Sequence, residues 1–120
     1  MRQAFLAISY LHSQGVVHRD LKLQNMLLTE KERTSDLKVG DFGLSAQIPR
    51  KEIHDWGDKD AVKAYNGLQD KWGTPQYFAP EMLWKQYGPQ VDLWALGVVL
   101  FQLLVGRLPF HANSNTELFR

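Results

Sequence analysis

Cysteine is absent from these 120 residues, so no disulfide framework and no thiolate metal site can be built. That fits a reducing compartment, and a cytoplasmic location is the expectation. Charge of one sign is scarce as well: 14 Lys and Arg offset 13 Asp and Glu, a formal net charge of +1. Such a balance gives no reason to expect nucleic acid or an anionic membrane as a partner. Long hydrophobic runs are missing. The longest, Leu93 to Gly106, is broken by Gln102 and falls short of the ~20 residues that a membrane span needs, which points to a buried helix. No charged leader followed by an apolar stretch opens the chain, so no secretory signal is expected. There are no internal repeats and no low-complexity tracts.

What remains is ordinary globular composition, 44% hydrophobic and 22% charged, at the size of one domain or part of one. Arg2 to Ser13 carries an apolar stripe of Phe5, Ile8 and Leu11 with Ala4 and Ala7, which predicts a helix, and Gly15 is placed to cap it. Met26-Leu27-Leu28 and Leu37-Lys38-Val39 read as short strands. The polar stretch "TEKERTSD" between them predicts an antiparallel hairpin with a long loop. From Ile48 to Asp70 the chain is polar and reads as a loop, with a weak helical turn near Asp60 to Tyr65 and with Trp56 and Tyr65 as scattered loop aromatics. Pro80 is expected to open a short helix through Trp84. Asp92 to Val105 is apolar nearly all round, which predicts a helix buried in the middle of a domain, with Gly106 ending it. Asp92 stands where a helix N-cap would, and "NSNTELFR" looks like the capped start of another helix, with Asn113 or Ser114 as cap.

Between the first helix and the hairpin stands "VHRDLKLQN", Val17 to Asn25, which packs charged and amide groups between aliphatic residues. This describes a loop clamped to a core with its polar groups aimed at something. The hairpin brings Asn25, just before its first strand, to the same end as Asp41, just after its second. Asp20 and Lys22 face the same place. An Asp–Asn–Asp set with a nearby lysine suits a hard cation that serves a phosphate, because Mg²⁺ takes one or two carboxylates plus substrate phosphate oxygens. Asn25 and Asp41 would go to the metal. Asp20, free of metal, could orient a substrate hydroxyl and accept its proton, and Lys22 would add positive charge at the transferring group.

"HRDLKLQN" resembles the catalytic loop of eukaryotic protein kinases, and "DFG" (Asp41 to Gly43), "APE" (Ala79 to Glu81) and "DLWALG" (Asp92 to Gly97) follow in that family's order. Lys22 and "GTPQYFAPE" (Gly73 to Glu81) resemble the Ser/Thr type. With "DLWALGVVLFQLLVGRLPF" they are most similar to the calcium/calmodulin-dependent group. The resemblance implies a mainly α fold: a kinase C-lobe over residues 1–120, incomplete, with a small hairpin carrying the catalytic and metal-binding residues and an activation segment at 41–81. It implies ATP and Mg²⁺ as cofactors and a protein substrate with a Ser or Thr acceptor. By it, Asp20 is the catalytic base, Lys22 touches the γ-phosphate, and Thr74 bonds toward both. Lys22, Gln24, Asn25, Leu27 and Asp41 form the nucleotide set, with Leu27 under the adenine, and Asn25 and Asp41 are the metal ligands. His18 and Phe42 stack in the spine that aligns the two lobes, Asp92 holds the catalytic loop's backbone, and Glu81 pairs with an arginine further along than this sequence extends.

The sequence also departs from the family pattern. It holds no Gly-rich phosphate loop and no strand lysine before the first helix, so the expectation is a fragment, inactive alone. The alternative is a truncated, non-catalytic kinase-like binding module; a small-molecule kinase is disfavoured by "GTPQYFAPE" and "DLWALG". Gln24 stands where many basophilic relatives carry Glu, which puts one contact to a substrate arginine in doubt. In relatives an arginine at the position of Arg19 often receives an activating phosphate. Here Ala46 to Gly73 holds no Ser or Thr, and a parent enzyme not switched by loop Ser/Thr phosphorylation is expected.

Overall fold

The computed structural model describes residues 1–32, 34–52 and 65–120. The described residues form mixed helices and two small antiparallel sheets. Helix α1 spans Arg2–Ser13. Its buried face is Ala4 and Ile8 with Leu11 packed beside them, an i, i+4, i+7 row. Phe5, expected in that stripe, lies 45% exposed, because the next residue is turned about 100° from Ala4 around the helix. Gln14 is the C-cap, and Gly15 follows it at φ 72, the left-handed position that ends helices and that glycine adopts without strain.

Strands β1 (Val16–Val17), β2 (Met26–Leu28), β3 (Leu37–Val39) and β4 (Ala46–Gln47) make two separate pairs. β2 and β3 pair antiparallel with Met26 opposite Val39 and Leu28 opposite Leu37. The connecting loop is tied by buried Ser35, whose hydroxyl donates toward the carbonyls of Glu30 (2.6 Å) and Glu32 (2.7 Å). Gln3 of α1 accepts from the Leu37 amide at 2.6 Å and so fixes the hairpin to the helix.

The β1–β4 pair lies just before the stretch read as a loop from Ile48. Val16 lies opposite Gln47 and Val17 opposite Ala46, and the Ile48 amide donates to the Gly15 carbonyl at 2.7 Å. Ile48 is fully buried rather than the start of a polar loop. The run from Leu68 returns as well: Leu68 bridges Tyr87 through two backbone bonds of 2.9 and 3.0 Å. Tyr65 packs against the core, while Trp56 and the turn expected at 60–64 fall outside the described residues. Pro80–Trp84 forms the expected short helix, as 3-10 turns, ended by Lys85 at φ 54.

Helix α2, Gln90–Val105, is the central element, closed by Gly106 at φ 81. It joins two apolar clusters. Val91 packs with Val17, Ile48, Ala79, Met82 and Tyr87. Ala95, Leu96, Val98 and Val99 pack with Ala4, Ile8, Leu21 and Tyr77. Fully burying a side chain such as Leu21 or Leu96 contributes about 2 kcal/mol. The helix is not buried all round, however. Leu93, Leu103 and Leu104 are 50, 56 and 77% exposed, because α1 and the loops cover only one side of it among the described residues. A short helix α3, Asn115–Leu118, ends the chain with Ser114 as N-cap, its hydroxyl accepting from the Glu117 amide. No helix among the described residues is long and apolar enough to cross a membrane.

Candidate functional site

The loop from His18 to Asn25 is pinned from two sides. Val17 and Leu21 are sunk into the two apolar clusters. Its backbone is held by Asp92, which lies 1% exposed in the first turn of α2. The Asp92 carboxylate accepts from the amides of His18 (2.8 Å) and Arg19 (2.9 Å) and from His12 Nε2 (2.8 Å). Asp92 is therefore no N-cap, a position taken by Pro89; one turn of helix aims its side chain at the loop. His12 gave no sign of this role, since it sits on α1 and meets Asp92 across 80 positions.

His18 is fully buried and has its tautomer set by its neighbours: Nδ1 accepts from the Asp20 amide at 3.1 Å, and Nε2 donates to the Gly40 carbonyl at 2.8 Å. Its ring meets Phe42 at 5.1 Å between centroids, tilted by 60° rather than stacked flat. The same loop is tied internally where the Asn25 amide nitrogen donates to the Asp20 carbonyl at 2.7 Å. Anchored this way, the Asn25 side chain keeps its amide oxygen as an acceptor.

Thr74 closes the site from the far end of the chain. Its hydroxyl donates to Asp20 Oδ1 at 2.9 Å and accepts from Lys22 Nζ at 3.0 Å. Lys22 Nζ stands 3.8 Å from Asp20 Oδ2. A single hydroxyl thus bridges a carboxylate and an ammonium that share a loop, the contact that the family resemblance implied. The approach is close because residue 73 is glycine. At φ +121, a Cβ there would come within 2.7 Å of the Arg19 carbonyl oxygen.

The β2–β3 register puts Asn25 beside Gly40, whose amide donates to the Asn25 carbonyl at 2.8 Å, so Asp41 emerges at the same end. Asp41 is exposed, with a left-handed φ of 57, and its carboxylate accepts from the Gly43 amide at 3.4 Å. Arg19, on the other side of Asp20, has φ 69. Left-handed backbone costs roughly 1–2 kcal/mol at a non-glycine residue, and two such residues flank this site, where strain tends to be kept. Leu27 is 57% exposed on β2, and Gln24 is exposed on the turn between Lys22 and Asn25. An amide oxygen and a carboxylate are the kinds of donor that Mg²⁺ takes alongside substrate phosphates.

Tyr87, buried behind Arg19, has its phenol pushed above the ordinary 10.0, chiefly by burial, although the hydrogen bond and charge of Arg19 pull it back. Tyr77 is pushed up in the same way while its hydroxyl donates to Gln102 of α2 at 2.7 Å.

The family model described as "protein kinase domain" matches residues 1–120. A calcium/calmodulin-dependent serine/threonine-protein kinase 1 of Oryza sativa subsp. japonica is 42% identical over 120 residues, 100% of this chain and 18% of that protein. The calcium/calmodulin-dependent protein kinase type 1B of Homo sapiens is 45% identical over 118 residues, 98% of this chain and 30% of that protein. The CBL-interacting serine/threonine-protein kinase 20 of Arabidopsis thaliana is 44% identical across 99% of this chain and 24% of its own length. The chain spans less than a third of the length of each of these relatives.

Proposed function

Because the chain belongs to the protein kinase domain family, we propose that it supplies the catalytic-loop side of a Ser/Thr protein kinase, the C-lobe, with residues 41–81 as the segment that faces the substrate. Asp20 orients the acceptor hydroxyl of a protein Ser or Thr and takes its proton as the oxygen attacks. Lys22 offsets negative charge at the γ-phosphoryl group. Thr74 holds Asp20 and Lys22 at a fixed separation, so the reacting groups meet without further ordering. Asn25 and Asp41 would hold Mg²⁺, with Leu27 as an apolar surface for the adenine and Gln24 next to the nucleotide set. ATP with Mg²⁺, when bound, supplies the phosphoryl group and shields its charge.

The observation that carries this reading is the Thr74 hydroxyl bridging Asp20 and Lys22 from more than 50 positions away. A turn-forming role for Asp20 would need no such partner. The cytoplasm, with the nucleus left open, is proposed as the location from the lack of cysteine. Residues 1–120 on their own, holding no Gly-rich phosphate loop, are expected to bind ATP weakly and to transfer no measurable phosphate. The experiment is transfer of labelled phosphate from ATP to Ser/Thr peptides by the protein purified from its source. Activity abolished by Asp41→Ala supports the reading. Activity untouched by that change refutes it, as does transfer by residues 1–120 alone for the second expectation.

A further inference from the structure

The Arg19 guanidinium is a junction that the proposed chemistry leaves unused. Its side chain is only 7% exposed, and its three hydrogen-bond partners among the described residues come from three different segments. Nε donates to the Leu44 carbonyl at 2.7 Å. Nη1 donates to Asp70 Oδ2 at 3.2 Å and to the Tyr87 hydroxyl at 3.3 Å. Tyr87 in turn donates to the backbone carbonyl of Asp70, and its own backbone bridges Leu68. Asp70 is therefore gripped through both its side chain and its main chain, four residues before Thr74.

An enclosed guanidinium cannot lose its proton, and it is costly without a counter-charge. Of the three groups it meets, two are neutral. Among the described residues Asp70 alone supplies an anion, and it does so from the outer side, with its carboxylate 63% exposed. Ala46 to Gly73 carries no Ser or Thr on which another anion could be installed.

We propose that Asp70 is a positioning residue: a permanent carboxylate that neutralises Arg19 and thereby holds residues 68–78 against the catalytic loop, keeping Thr74 on Asp20. The order of this segment then needs no added charged group. Its consequence for catalysis rests on the roles given to Asp20 and Thr74 above, whereas the ordering itself does not.

The test is amide hydrogen exchange on the full chain as purified from its source, comparing wild type with Asp70→Asn and Asp70→Glu. Asp70→Asn keeps the shape and removes the charge. Exchange at Leu68, Tyr77 and Phe78 should quicken roughly 5-fold, the scale of a half-exposed ion pair. Amides in α1 and α2 should stay unchanged, and Asp70→Glu should restore most of the protection. Unchanged exchange at 68–78 in Asp70→Asn overturns the proposal. So does a rise spread evenly over α1 and α2, which would mean only a global loss of stability. Local loosening in a protein that transfers no phosphate would leave this inference standing and sink the catalytic reading.

Discussion

Replacing Asp92 should release the loop from His18 to Asn25. The carboxylate is 1% exposed and accepts three hydrogen bonds, two of them from adjacent backbone amides. In Asp92→Ala those amides lose their partner inside the core, at about 1–3 kcal/mol for each buried donor left unsatisfied. Two terms offset part of this: the buried charge is no longer desolvated, and Arg19 can relax from φ 69, which returns roughly 1 kcal/mol. The net expectation is a loss of about 3 kcal/mol. Asp92→Asn keeps one acceptor but turns an NH₂ group toward a second donor, so about 2 kcal/mol is expected. With a urea slope of about 1–3 kcal/mol per molar, the unfolding midpoint should drop by roughly 1 M in either variant. Circular dichroism reads the midpoint, and hydrogen exchange at the His18 and Arg19 amides reads the loop. A midpoint within about 0.2 M of wild type, with those amides still protected, would refute the reasoning.

Thr74→Val removes the bridging hydroxyl but keeps the volume. Phosphotransfer should fall by about 10-fold or more while the urea midpoint moves little. Gly73→Ala places a methyl group 2.7 Å from the Arg19 carbonyl at φ +121 and should cost roughly 2 kcal/mol, read by thermal unfolding. The raised phenols of Tyr77 and Tyr87 stabilise the fold while protonated. Their contribution is fully present below the ordinary value and is lost as pH rises through the folded-state values. Stability should thus decline above about pH 10, less steeply in Tyr87→Phe, measured as unfolding midpoints across that range.

The parts of the fold that were legible in the sequence are local. Helix α1, the hairpin strands, Gly106 and the Ser114 cap each carry their signal within a few residues, as periodicity or as turn chemistry. Thr74 was legible too, but through the resemblance to a known family rather than through its neighbours. The β1–β4 pair and the Leu68–Tyr87 bridge were not. Strands of two residues are too short to show alternation, and their partners lie about 30 and 20 positions away, so the polar residues around Ile48 outvoted its burial. Phe5 belongs to the apolar stripe of α1 in sequence but not to its buried face, and the composition of α2 predicts burial on every side, because composition says how apolar a helix is and not which face finds a partner. His12 and Asp70 carry no local signal for a related reason: a lone histidine on a helix and a lone aspartate in a loop acquire roles only when distant segments close on them.

The central claim is that Asp20, Lys22 and Thr74 form the phosphoryl-transfer site of a Ser/Thr protein kinase. Its most direct test is the rate of labelled phosphate transfer from ATP to Ser/Thr peptides by the protein purified from its source, wild type against Asp20→Asn. The account predicts label on serine or threonine and a loss of about 100-fold or more in the variant. No transfer by the wild type, or an equal rate in both, would contradict it.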